Sequence, residues 1–140
     1  MADINHQIKI KGPQQRVYQA LATPSELSKW HTAKIEGNGG VGGVLRIQPQ
    51  EGPAFEWKVT KDVPLQTIVW HCVKGPGNSA GTNVQFQLSS TVDGRTFVEL
   101  AHSDWPDTGG NFRKCNTLWA ILLDHLRKYT ETQKTDPAFA

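Results

Sequence analysis

The stretch Phe112-Arg-Lys-Cys115-Asn-Thr-Leu118-Trp119-Ala-Ile121-Leu122-Leu123-Asp-His-Leu126-Arg-Lys-Tyr129 decides the fold. Its apolar residues at 112, 115, 119, 122, 126 and 129 are 3 or 4 positions apart throughout. That spacing predicts one helical stripe of about five turns. Leu118, Ile121 and Leu123 widen it. A helix with so broad an apolar face is unstable in water and must lie on a second layer.

The second layer precedes it in the chain. Between Ala33 and His102 the apolar period is two. Leu45 and Ile47 alternate with polar neighbours, as do Phe55, Trp57 and Val59. Val84, Phe86 and Leu88 do the same; Ile68, Trp70 and Cys72 alternate less cleanly with Val69 and His71, and Val98, Leu100 and His102 alternate with Phe97, Glu99 and Ala101. Turn residues separate these runs, and Asp93-Gly94 between two of them is a hairpin signal. Connections this short enforce antiparallel neighbours. The glycine-rich Gly37 to Gly43 segment has no nucleotide-loop lysine and leads into a strand, so it reads as a hairpin and not a phosphate loop.

The opening segment adds a strand through Ile4, Ile8 and Ile10, then two short helices after Pro13 and Pro24. Thr23, Pro24 and Glu26 predict a capping box for the second helix. The expected class is α+β, with a curved antiparallel sheet wrapped around a long C-terminal helix. Residues 1–131 are expected to form one domain and residues 132–140 to fray.

Composition excludes several functions. Fifteen basic and 13 acidic residues give a net charge of +2, and the basic residues are scattered, so no nucleic-acid surface is expected. Neither a signal peptide nor a membrane span is visible. Cys72 and Cys115 fall on apolar positions and read as reduced, buried thiols of a cytoplasmic protein.

The stretches Val17-Tyr-Gln-Ala-Leu-Ala-Thr-Pro-Ser-Glu-Leu-Ser-Lys-Trp30, Pro64-Leu-Gln-Thr-Ile-Val-Trp70 and Trp119 to Tyr129 carry a family likeness. With this element order, the chain resembles the helix-grip proteins of the START and pollen-allergen superfamily, often labelled SRPBCC. Within it, the chain is similar to the branch named after the activator of the heat-shock protein 90 ATPase. One departure stands out: members often carry a second aromatic after the helix-pair tryptophan, where this chain has His31. The resemblance implies a cavity between sheet and helix. Members include lipid and hormone binders, cyclases and chaperone regulators, so the site must be argued on its own residues.

The candidate ligand-binding residues are Trp30, Trp57, Trp70, Phe86, His102, Trp105, Phe112, Cys115 and Trp119, placed on inward strand positions, the helix stripe or element ends. For each aromatic the alternative is core packing. His102 continues the inward register of Val98 and Leu100. It is either a hydrogen-bonding or basic group in the cavity or a satisfied strand-end histidine. Cys115 with His102 would make a nucleophile pair, but a thiol among apolar neighbours is inert. His102, Asp104, His71 and Cys72 lack zinc-site spacing, so neither metal nor cofactor is expected.

The leading expectation is a non-enzymatic binding protein for a small apolar or aromatic molecule of about 15 heavy atoms. A cyclase- or hydratase-type enzyme using His102 is the second. A chaperone partner is the third. The cavity is expected near Trp57, Phe86, His102 and Phe112.

Overall fold

The computed structural model describes residues 2–139. The sheet begins with β1 (Ala2–Ile10), followed by α1 (Gln14–Ala22) and α2 (Pro24–Trp30). A meander of β2 (Lys34–Gly37), β3 (Val44–Gln48), β4 (Phe55–Val63), β5 (Thr67–Lys74), β6 (Asn83–Ser90) and β7 (Thr96–Trp105) comes next. The long α3 (Asn111–Thr132) closes the chain. Strand order is β1-β7-β6-β5-β4-β3-β2, antiparallel throughout. Consecutive strands pair because their connections are short, and β1 completes the far edge by pairing with β7.

Burial follows the alternation read from the sequence. Leu45, Ile47, Trp57, Val59, Ile68, Trp70, Cys72, Val84, Phe86, Leu88, Val98, Leu100 and His102 are all buried. On the helix, Cys115, Trp119, Leu122, Leu123, Leu126 and Tyr129 are buried against this face. The Trp119 ring meets the Phe86 ring edge-on at 5.7 Å. At Gly37 the backbone φ is +116°, and a side chain there would collide with the Val44 carbonyl oxygen. Glycine is therefore required where β2 turns toward β3. Asp93-Gly94 makes the β6–β7 hairpin as expected, with Gly94 at φ +81°.

The end of β7 breaks its own alternation. Asp104 adopts φ +68°, and the β1–β7 register shifts between Ala2 and Ile4. Asp104 consequently turns outward to accept from Asn83 Nδ2 at 2.6 Å, while Trp105 turns inward to full burial. An aspartate tolerates this backbone region better than most residues.

Several local features go beyond or against the sequence pattern. Thr23 stands at the N-cap of α2, but its hydroxyl makes no capping bond; Glu26 instead accepts from Tyr129 at 2.7 Å and Lys29 at 3.3 Å. Leu118 is only half-buried and Ile121 is 42% exposed, because the helix stripe is narrower than its apolar content. The short β2 carries one apolar residue, Ile35, too few for a periodic signal. Beyond Thr132, the described residues up to 139 lie along the end of α2, held by backbone bonds. Asp136 and Ala138 donate backbone N–H bonds to Lys29 and Trp30, both at 2.9 Å. Phe139 and Ala33 continue the pattern, with Phe139 N–H donating to His31 at 3.1 Å and Ala33 N–H to Phe139 at 3.0 Å. These backbone bonds compensate for the segment's polar side chains.

Candidate functional site

The first half of α3, the β3–β4 end of the sheet and the end of α2 enclose a cavity of about 210 Å³. Trp57, Ile47 and Phe55 form its sheet wall, and Cys115, Leu118, Trp119 and Leu122 its helix wall. His31, Thr32 and Phe139 close one side. The exposed Glu51, Gly52, Pro53 and Lys114 rim it. Phe55 and Trp57 stack nearly parallel at 5.6 Å and 5°. The half-buried Leu118 also borders the cavity.

The polar groups on the wall have definite hydrogen-bond states. The Trp119 indole N–H donates to His102 Nδ1 at 3.0 Å, so Nδ1 carries no proton and Nε2 does. His102 Nε2 stands 2.8 Å from Thr82 Oγ1, whose own hydroxyl donates to the Ser79 carbonyl at 2.6 Å. Burial pushes the His102 pKa down to about 3, so the ring is neutral. Both nitrogens are engaged, and His102 joins α3 to β7 and to the segment leading into β6. This arrangement is the satisfied histidine, not a free base.

Cys115 accepts a hydrogen bond from Asn111 Nδ2 at 3.3 Å, and Asn111 also donates to Ser79 Oγ at 2.7 Å. Burial raises the Cys115 thiol to about 12 and the Cys72 thiol to about 11. Cys115 is thus paired with an asparagine rather than with His102, and carries no thiolate near neutral pH. Both cysteines are free thiols. Asn116 faces away from the cavity and meets His6 Nε2 at 3.0 Å.

Of the candidate residues, Trp57, His102, Cys115 and Trp119 line the cavity together. Trp30, Trp70, Phe86 and Trp105 are fully buried in the core and are not on its wall. The Trp30 indole N–H donates to the Ala20 carbonyl at 2.8 Å, tying α2 to α1. Phe112 packs edge-on against Trp105 at 5.6 Å, also off the wall. Sequence reasoning missed Phe55, Leu118, Phe139 and His31 as wall residues. Only His31 had left a signal, as the departure from the family pattern.

His31 is 7% exposed, tilted against the Trp30 ring at 5.3 Å and edge-on to Trp119 at 6.1 Å. Its Nδ1 lies 2.9 Å from Thr32 Oγ1. Burial pushes its pKa down to about 3.

Comparisons with known proteins agree with this architecture. A family model described as activator of Hsp90 ATPase homolog 1-like protein matches residues 11–131. The Aha1 dimer from Colwellia psychrerythraea is 39% identical, with a TM-score of 0.85 over 94% of this chain and 98% of that one. A Mesorhizobium loti protein is 19% identical with a TM-score of 0.79, covering 91% of this chain and 95% of its own. A protein in the dynemicin biosynthetic locus is 19% identical with a TM-score of 0.77, over 99% of this chain but 49% of that one. The last two show the fold alone. A search of the curated proteins finds no match. Among the described residues, no helix is long and apolar enough to cross a membrane.

Proposed function

The chain belongs to the activator of Hsp90 ATPase homolog 1-like family, and from that premise we propose that it binds a small apolar or aromatic molecule in the cavity beside α3. The observation that carries this reading is the cavity itself: about 210 Å³ walled by Trp57, Trp119, Phe55, Ile47, Leu118 and Leu122. Ligand pockets are lined in this way, mostly apolar with a few placed polar groups. Binding is favoured over hydration or cyclisation because the one lone pair with which His102 could act as a base, on Nδ1, is held by the buried Trp119 indole N–H. Reduced, buried thiols fit a cytoplasmic setting, which is part of the proposal.

The size of the cavity revises the ligand downward from the sequence expectation. A dry cavity of roughly 150 Å³ takes up benzene, so this one suits about ten heavy atoms. At roughly 0.5 kcal/mol per atom, such a ligand gains about 5 kcal/mol, a dissociation constant of a few tenths of a millimolar. Two wall tryptophans would report it. Titration with indane, followed by tryptophan fluorescence, should saturate in the parent. Leu118→Trp, which fills the space, should abolish the change while keeping the melting curve. Saturation that survives Leu118→Trp would place the ligand elsewhere.

A chaperone-linked role is the second reading, favoured by 39% identity to the Colwellia Aha1 dimer. In that reading the chain self-associates and contacts an Hsp90-type ATPase. Stimulation of that ATPase by the purified chain, undiminished by Leu118→Trp, would favour it over the cavity reading.

A further inference from the structure

We infer that the imidazole N–H of His31 is the recognition group of the cavity, selecting a compact apolar ligand that carries a neutral carbonyl oxygen. The inference rests on the binding reading above and names the ligand class for that same site.

The tautomer of His31 follows from Thr32. Thr32 is 1% exposed, and the sole hydrogen-bond partner of its hydroxyl among the described residues is His31 Nδ1 at 2.9 Å. A buried hydroxyl donates wherever an acceptor is available. Thr32 therefore donates to Nδ1, and the ring proton sits on Nε2. Had the ring donated instead, the buried hydroxyl proton would have no acceptor among the described residues. The low pKa of His31 agrees, since it keeps a single proton on the ring.

Nε2 then holds a proton and has no partner among the described residues. It is not one of the fully enclosed unpaired atoms, which are Arg16 Nη2 and Trp105 Nε1. His31 is one of the residues that line the cavity. Three other wall donors are engaged: the Trp119 indole by His102, His102 by Thr82, and the Asn111 amide by Ser79 and Cys115; the Cys115 thiol is only a weak donor. Among the buried wall side chains, two N–H donors are left without a partner among the described residues, His31 Nε2 and the Trp57 indole. An oxygen acceptor on the ligand completes the His31 N–H, and a hydrocarbon or a donor-only ligand leaves it unpaired. A carboxylate is a poorer match, because a neutral imidazole cannot balance its charge and Lys114 sits at the exposed rim, which also carries Glu51.

The test uses the intact chain with 1-indanone, indane, indole and indane-1-carboxylate as probes, which share one body and differ in the polar group. In the parent, 1-indanone should bind roughly three- to tenfold tighter than indane or indole. His31→Phe should erase that preference while leaving indane binding in place, and His31→Gln, which restores an N–H, should recover part of it. Thr32→Val should weaken the preference without touching Nε2, by releasing the tautomer. Nitrogen-15 shifts of the imidazole report the tautomer independently, with the proton expected on Nε2. A proton on Nδ1, or equal affinity for 1-indanone and indane, overturns the inference while binding itself stands. A carbonyl preference that survives His31→Phe assigns recognition to Trp57 and overturns the inference. Tightest binding by the carboxylate assigns recognition to the rim and also overturns it. If no probe binds, the cavity reading falls and this inference with it.

Discussion

Two buried histidines make the fold acid-sensitive above the range where carboxylates titrate. His31 and His102 are 7% and 0% exposed, and each has its pKa lowered from 6.5 to about 3. Desolvation is the cause in both cases. A native pKa below the unfolded one means that the unfolded chain binds more protons between the two values. Stability is therefore fully present above the unfolded pKa and is lost as pH falls. At about pH 5 the unfolded chain gains about 2 kcal/mol per histidine, so the pair removes about 4 kcal/mol relative to about pH 7.5. A native pKa one unit higher would change each contribution by less than about 0.1 kcal/mol, so the result does not depend on the depth of the shift. Four kcal/mol is a large part of the roughly 5–15 kcal/mol of a typical domain. Asp93, lowered by its hydrogen bond from Thr91, and Asp124, lowered by its bond from Arg127, lose their contributions only below the ordinary carboxylate range. The assay is urea unfolding at the two pH values, with His31→Gln expected to remove about half the difference. Equal unfolding free energies at the two pH values would refute the reasoning. So would a pH dependence that His31→Gln leaves intact.

The thiols should be silent in the native state: Cys72 and Cys115 are buried with raised pKa values, so a thiol reagent should label neither until urea is added. Rapid native labelling would contradict their burial. Removing residues 134–140 deletes the backbone bonds from Asp136, Ala138 and Phe139 to residues 29–31 and the one from Ala33. A loss of about 2–4 kcal/mol is expected, with much faster exchange of the Ala33 amide. Unchanged exchange at Ala33 would show that the terminal segment does not hold this edge.

The sequence shows periodicity clearly and empty space poorly. The α3 stripe and the alternation of β3 to β7 were legible because burial in a two-layer fold repeats with the period of the element. Trp57, Cys115, Trp119 and His102 were placed inward on that ground, and they line the cavity. Trp70 and Phe86 obey the same alternation, yet their rings meet at 5.0 Å in the core. Whether an inward ring meets another ring or a void depends on what the opposite layer supplies, and that is a non-local matter. Leu118 and Phe139 show the converse. One lies off the main stripe, and the other lies in a segment of polar composition whose hydrogen bonds are made by backbone alone.

The two histidines sharpen the same point. His102 drew attention because it stands in an apolar register, and His31 drew little because it ends a short helix. Their chemical states are set by partners on other elements or beside them in the fold. Trp119 and Thr82, 17 and 20 positions from His102, occupy both its nitrogens. Thr32, the next residue after His31, engages only one. A buried imidazole with two partners is a joint, since any reaction or ligand must first break what holds it. A buried imidazole with one partner has an unmet valence, and His31 is among the residues lining the cavity between α3 and the sheet. On the inference drawn above, removing the His31 N–H should change which ligand is chosen more than whether one is bound.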